Sequence, residues 1–220
     1  MSRKSDIVSA AGLLTGIFTR MMAEVEKKGG GEEDVHRLTT PEADSIWPQI
    51  AEVIVSGLQK IFKVWRTIKL GTGLKTADDF RKSLKANGMN VGDRASDILE
   101  KPDFTSAVGE TEVDLVRVTV AGLGFKQGAR RDQIYERARE LGLELCPPEV
   151  GPQLRLQYKD QPIGEWLLIA MEPCTDSVGL LSVFGVGRGG GGLWLSGGCD
   201  DPGCFWGPGG RWVFVRPRKQ

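Results

Sequence analysis

Apolar positions recur at three- and four-residue spacing early in the chain and at two-residue spacing in its last third. Ile7, Ala10, Ala11, Leu14, Ile17, Phe18, Met21 and Val25 define one amphipathic helix over residues 6–28. Lys27 and Lys28 suit the negative end of its dipole, and Gly29-Gly30-Gly31 ends it. The glycines form a hinge, so this helix reads as an arm that packs on the chain's own core or docks on a partner. A polar linker follows, and Thr39-Thr40-Pro41-Glu42 has the form of a capped helix start. Ile46, Trp47, Ile50, Val53, Ile54 and Leu58 then share a broad helical face, with a break expected near Pro48 and an end around Gly57 to Lys60.

Residues 62–70 alternate in character and predict a strand stopped by Gly71-Thr-Gly73. Thr76-Ala-Asp-Asp79 opens a capped helix carrying Phe80 and Leu84, closed at Asn87-Gly88, and a shorter helix follows over 93–99. Val113 to Val120 is a β-branched run that predicts a second strand. Residues 130–141 form a charged helix with Ile134, Ala138 and Leu141 inward, and Cys146-Pro147-Pro148 leads into the last third. There Leu154-Leu156-Tyr158, Trp166 to Met171, Leu180 to Val186, Leu193 to Leu195 and Trp212 to Val215 read as successive strands. The turns between them are rich in glycine and proline, which supply positive φ and halt strands.

The change of period predicts an α+β protein: a helical N-terminal part with an antiparallel β-sheet in the C-terminal part. Strands 62–70 and 112–120 either join that sheet or form a second one. Three segments are expected: 1–31, the helix and glycine hinge; 32–109, a helical part with one strand; and 110–220, the β-rich domain. Trp166, Leu168, Phe184, Val186, Trp194, Trp212 and Phe214 are the expected C-terminal core.

At 220 residues, 40% apolar and 26% charged, the chain is long enough for a full core and ordinary in composition. Its 29 basic residues balance its 29 acidic ones, so no global field draws it to nucleic acid or anionic lipid. The apolar stretch from Ser9 to Met22 lacks a cleavage site and is too short to span a bilayer, so no membrane role and a cytoplasmic location are expected. Cys146, Cys174, Cys199 and Cys204 read as free thiols of a reducing compartment. A disulfide or a metal site is the alternative; Cys199 and Cys204 would be its first ligands, but no metal is expected.

Residues 131–158, Gly164-Glu-Trp-Leu-Leu-Ile-Ala-Met-Glu-Pro173 and Arg211-Trp-Val-Phe-Val-Arg-Pro217 resemble an uncharacterised group of bacterial proteins from environmental genomes, many from candidate phyla. The resemblance covers residues 110–217 and, more weakly, 39–90. It implies a bacterial, cytoplasmic protein and carries over no site residues.

The lone histidine, His36, sits in the linker with no nucleophile motif nearby. Gly185-Val-Gly-Arg-Gly-Gly190 fits G-x-G-x-x-G but runs toward a strand and not a helix, so no dinucleotide cofactor is expected. Glu149, Glu165, Glu172, Asp176, Asp200 and Asp201 crowd the turns of a tryptophan-rich sheet. A carboxylate-based hydrolase or glycan-binding protein, with Glu172 and Asp176 as the catalytic pair, is therefore one alternative. Nucleic-acid binding is another. Residues 76–99 have a loose helix-turn-helix look, Arg81, Lys82 and Lys85 lie there, Arg130 and Arg131 follow, and the tail is basic. The leading expectation is a binding or regulatory protein without clear catalytic machinery, acting through a protein or nucleic-acid partner.

Overall fold

A computed structural model describes residues 3–53, 62–175, 179–199 and 203–218. The chain divides into two compact units, Met1–Gln59 and Lys60–Gln220.

The first unit opens with helix α1 (Arg3–Lys27), which ends where Gly29 takes a φ of 82° and the Gly30 N–H turns back to the Val25 carbonyl. Helix α2 (Glu32–His36) follows, its entry held by the Asp34 carboxylate on the Gly31 N–H at 2.9 Å. Pro41 starts a short 3-10 turn, and a further helix, α3, begins at 47 and is described to 53. Pro48 thus lies in a first turn, where its missing N–H breaks no bond, and it opens a helix where an interruption was expected. The rest of that expected helix, 54–60, lies outside the described residues. Val35 and Ala43 are the buried apolar side chains among those described in this unit. Leu14, Ile17, Phe18 and Trp47 stay exposed and line an apolar groove of about 480 Å³. Among the described residues no helix is long and apolar enough to cross a membrane.

The second unit contains strands β1 (Arg66–Leu70), β2 (Asn90–Val91), β3 (Thr111–Thr119), β4 (Ala129–Arg130), β5 (Trp166–Ile169) and β6 (Cys174–Thr175). Strands β7 (Leu181–Gly189), β8 (Gly192–Cys199), β9 (Phe205–Trp206) and β10 (Arg211–Arg216) complete the set. Its helices are α4 (Ala77–Ala86), α5 (Asp93–Leu99), α6 (Arg131–Glu140) and α7 (Val150–Gln157). Strands run in the order β1-β3-β10-β5-β7-β8-β2, with β6 beside β7, while β4 and β9 form a separate ladder. The boundary expected at 109/110 falls between β1 and β3, which pair.

The fold is α+β, and two of the finer expectations need correction. The sheet is mixed: β10 runs parallel to β5, and β2 parallel to β8. After the β7–β8 hairpin the chain crosses back to the far side of β5, so β10 enters in the same direction as its neighbour. The second correction concerns 154–158, which is not a strand. Val150, Leu154 and Tyr158 are buried at four-residue spacing, and the chain there is α7. Buried Gln153 and Arg155 between them obscured the helical period. α7 also seals the free edge of β1, because the Gln157 amide accepts from the Lys69 N–H at 3.0 Å and donates to the Lys69 carbonyl at 2.8 Å.

By the pairing register, Leu167, Ile169, Phe184, Val186 and Leu195 share one face, which α7 and α5 cover. Trp166, Leu168, Gly185, Trp194 and Ser196 share the opposite face with Trp212 and Phe214. α6 packs on that second face through Tyr135, edge-on to Trp212 at 5.6 Å and to Phe214 at 6.2 Å. Phe184, Val186, Trp212 and Phe214 are fully buried, whereas Trp166 is 48% exposed and Leu168 and Trp194 are half-buried. The expected core is thus corrected for these three.

On the α7 side the packing is tight. Gly151 lies against the Phe184 ring, so that an added Cβ would come within 2.5 Å of it. Gly→Ala inside a helix ordinarily stabilises by about 1 kcal/mol. Here the ring is buried, and Gly151→Ala is expected to destabilise by about 1–3 kcal/mol through overpacking. An unchanged or raised urea midpoint would contradict this contact.

Candidate functional site

Arg117 lies on β3, Glu165 immediately precedes β5, and Arg211 opens β10. The register sets Arg117 opposite Val213 and Thr119 opposite Arg211, and β10 lies beside β5. Three residues far apart in sequence therefore meet at one end of the central strands. Glu165 is 4% exposed. Its Oε1 accepts from Arg117 Nη1 at 2.5 Å, and Arg211 stands 3.6 Å from the same oxygen. Its Oε2 accepts from the Tyr158 hydroxyl at 2.7 Å. Burial first, and the Glu165 carboxylate second, push the Tyr158 hydroxyl up to about 12, so it stays a donor at neutral pH.

Aromatic faces hold Arg117 and the neighbouring Arg66. Trp65 stands edge-on to Tyr158 at 5.0 Å, Arg117 lies over the Trp65 ring at 5.1 Å, and Arg66 over the Tyr158 ring at 4.5 Å. Arg66 is also paired with Asp160 at 2.9 Å. The turn that carries Glu165 is fixed from below by Arg155, which is wholly buried. Arg155 donates to Gln161 Oε1 at 2.5 Å, to the Gly187 carbonyl at 3.1 Å and to the Tyr158 carbonyl. Gln161 in turn donates to the Glu165 carbonyl at 3.2 Å and the Val186 carbonyl at 3.1 Å. Burial lowers the Arg155 pKa to about 10, which leaves it charged at neutral pH. Arg155 acts on the site by positioning.

The cluster opens into a groove of about 850 Å³ lined by Phe62, Thr119, Pro162, Ile163 and the three charged residues. A second, narrower slot of about 420 Å³ lies beside Trp166, Leu168, Gly185, Ser196, Gly198 and Trp206. Gly164 and Arg211 line both. Arg117 and Arg211, with side chains 37% and 47% exposed, carry one positive charge more than Glu165 neutralises. This is a place for an anionic group. Both Glu165 oxygens are already engaged, so its work is to orient Arg117 and Tyr158.

The residues singled out from sequence lie elsewhere. Glu172 is exposed and 3.5 Å from Arg139 on α6, and Asp176 falls outside the described residues, as do Asp200 and Asp201. Among the described residues lining the two grooves, Glu165 is the one carboxylate. Arg81 is held internally: it donates to Ser96 Oγ at 2.9 Å and to the Ser96 carbonyl, and pairs with Glu100 at 2.5 Å and Asp78 at 3.2 Å. Lys82 and Lys85 are exposed on α4. The link from α4 to α5 contains β2, which pairs with β8, and is not the open turn of a helix-turn-helix. Arg130 pairs with Asp132 at 3.4 Å, and Arg131 lies over the Tyr135 ring at 5.4 Å, both at the start of α6. α4 packs on α7, β2 and α5, whereas α6 packs on β4 and the turn Ala121–Leu123, so the two basic groups belong to different layers.

Cys146 and Cys174 are free and buried, whereas Cys204 is disulfide-bonded. The free-thiol expectation is corrected for Cys204, and a bonded sulfur is not a thiolate ligand. Among the described residues no three His, Cys, Asp or Glu side chains gather as a metal site. Gly185 to Gly190 runs along β7 into its hairpin with β8, with no helix N-terminus at its end. Arg117 and Arg211 were missed in sequence. The available signal was an arginine inside the β-branched run Val113 to Val120, a position where an apolar residue is the default. No protein-family model, curated protein or solved structure matches the chain.

Proposed function

We propose that this protein is a binding module whose second unit holds an anionic group of its partner between Arg117 and Arg211. The carrying observation is the surplus positive charge of that pair at a groove mouth, with Arg117 held by Glu165 and the Trp65 ring and Arg211 standing 3.6 Å from Glu165. Charge-assisted hydrogen bonds from guanidinium groups are the strong ones, and arginines already oriented lose less entropy on binding. A two-carboxylate hydrolase lacks support here, because such chemistry needs a second acid across the bond. The bacterial, cytoplasmic setting implied by the resemblance belongs to the same proposal. Within that setting the disulfide on Cys204 has to be shielded from the thiol pools that reduce such bonds.

Labelled polyglutamate and a mixed single-stranded oligonucleotide are suitable anionic probes. Binding of at least one at low salt is expected, weakening as salt rises. Arg211→Gln is expected to reduce it by roughly tenfold, about 1.4 kcal/mol for one partly exposed charge contact. Failure of both probes at low salt would sink the anion-binding reading.

A further inference from the structure

We infer that the partner is an acidic peptide segment: its carboxylate meets Arg211, and a neighbouring large apolar side chain enters the slot beside Trp166. This rests on the anion-binding reading above and adds what lies next to the anion. The slot has a bare floor, because Gly185 presents no side chain on that face. One wall is Trp166, whose ring lies directly on Gly187; a Cβ there would come within 2.1 Å of it. That contact supports a ring which is nonetheless 48% exposed. Trp206 also lines the slot and is held edge-on by buried Trp212 at 5.4 Å. By register Arg211 shares the Arg117 face and the slot lies on the other, but Arg211 and Gly164 line both cavities, so the slot adjoins the charged groove around the strand ends.

Charge and composition favour a peptide over a nucleic acid. Nucleic acids gain affinity by neutralising several phosphates in a row. This mouth offers one surplus positive charge, enough to meet a single carboxylate and too little to neutralise a run of phosphates. Exposed aromatic and aliphatic side chains next to arginine are instead the composition of protein-interface anchors.

The test uses the full-length protein and an array of short immobilised peptides of mixed sequence, with the oligonucleotide in parallel. Bound peptides are expected to pair Asp or Glu with a nearby Phe, Leu or Trp. Resynthesised in solution, they should lose at least about tenfold in affinity when the acid becomes its amide. They should lose as much against Gly185→Val. The nearest atom to a Cβ at Gly185 is 3.7 Å away, so valine fits the strand and fills the slot. Circular dichroism and melting checks its fold, and Ser196→Leu, opposite Gly185 on β8, closes the same slot independently. Peptides selected without acids, or binding indifferent to both slot variants, would overturn the inference. If polyglutamate binding still depended on Arg211, the broader anion-binding reading would survive that result. Capture of the oligonucleotide but no peptide would assign the site to nucleic acid instead.

Discussion

Replacing Trp212 by alanine is expected to destabilise the protein by about 3–5 kcal/mol, the range for a large aromatic lost from a core. Trp212 is fully buried on β10, edge-on to Tyr135 at 5.6 Å and to Trp206 at 5.4 Å, so its removal opens a cavity shared by α6, β9 and the sheet. Trp212→Phe separates packing from polarity. The indole N–H is buried with no acceptor among the described residues, and phenylalanine removes that orphan donor while keeping a ring. It is expected to cost no more than about 1–2 kcal/mol. Urea unfolding monitored by circular dichroism measures both. An alanine variant with an unshifted midpoint would place the ring outside the core.

Glu149→Gln is expected to cost about 1–3 kcal/mol although it is isosteric. Glu149 is 1% exposed. Its Oε1 accepts from the Gly71 N–H at 2.8 Å and from the Gln153 amide at 3.0 Å, and its Oε2 accepts from the Ala107 N–H at 2.8 Å. One carboxylate therefore ties the loops after β1 and before β3 to the start of α7. A glutamine has a single acceptor oxygen and must turn an N–H toward another donor. Glu149→Ala leaves the Gly71 and Ala107 N–H groups without this acceptor, while the Gln153 amide keeps Thr72 Oγ1 at 2.7 Å, and it is expected to cost more, about 2–5 kcal/mol. Hydrogen exchange supplies the specific readout. The Gly71 and Ala107 amides should exchange faster in both variants, and unchanged protection there would refute the role.

Local rules made much of the fold legible. The capping box at Thr76 and Asp79 forms as read, with the Asp79 N–H donating to Thr76 Oγ1 at 3.2 Å and the Thr76 N–H to the Asp79 carboxylate at 3.0 Å. Strands β3, β7, β8 and β10 and helices α1, α4, α5 and α6 fall where their periods put them. α7 was misread because its polar positions are also buried: Gln153 and Arg155 face partners inside the protein, and the remaining leucines mimic a two-residue period. The three misplaced core residues share one cause. Alternation says that Trp166, Leu168 and Trp194 lie on one face, but not whether another layer covers that stretch of it.

The site was hidden for a related reason. Glu165 stood out only as one of several turn carboxylates, while Arg117 lies 48 residues before it (165 − 117) and Arg211 46 residues after it (211 − 165), and neither belongs to a local pattern. The sequence by itself determined element type and boundaries wherever capping, glycine and periodicity act within a few residues, because those energies are local. Only the tertiary structure decided strand order, which sheet face stays open and which charges meet. Those outcomes depend on the crossover that lays β10 beside β5 and on the register that brings Arg117, Glu165 and Arg211 to one strand end. Such pairings are long-range, and their free energy exists only once the whole sheet has formed.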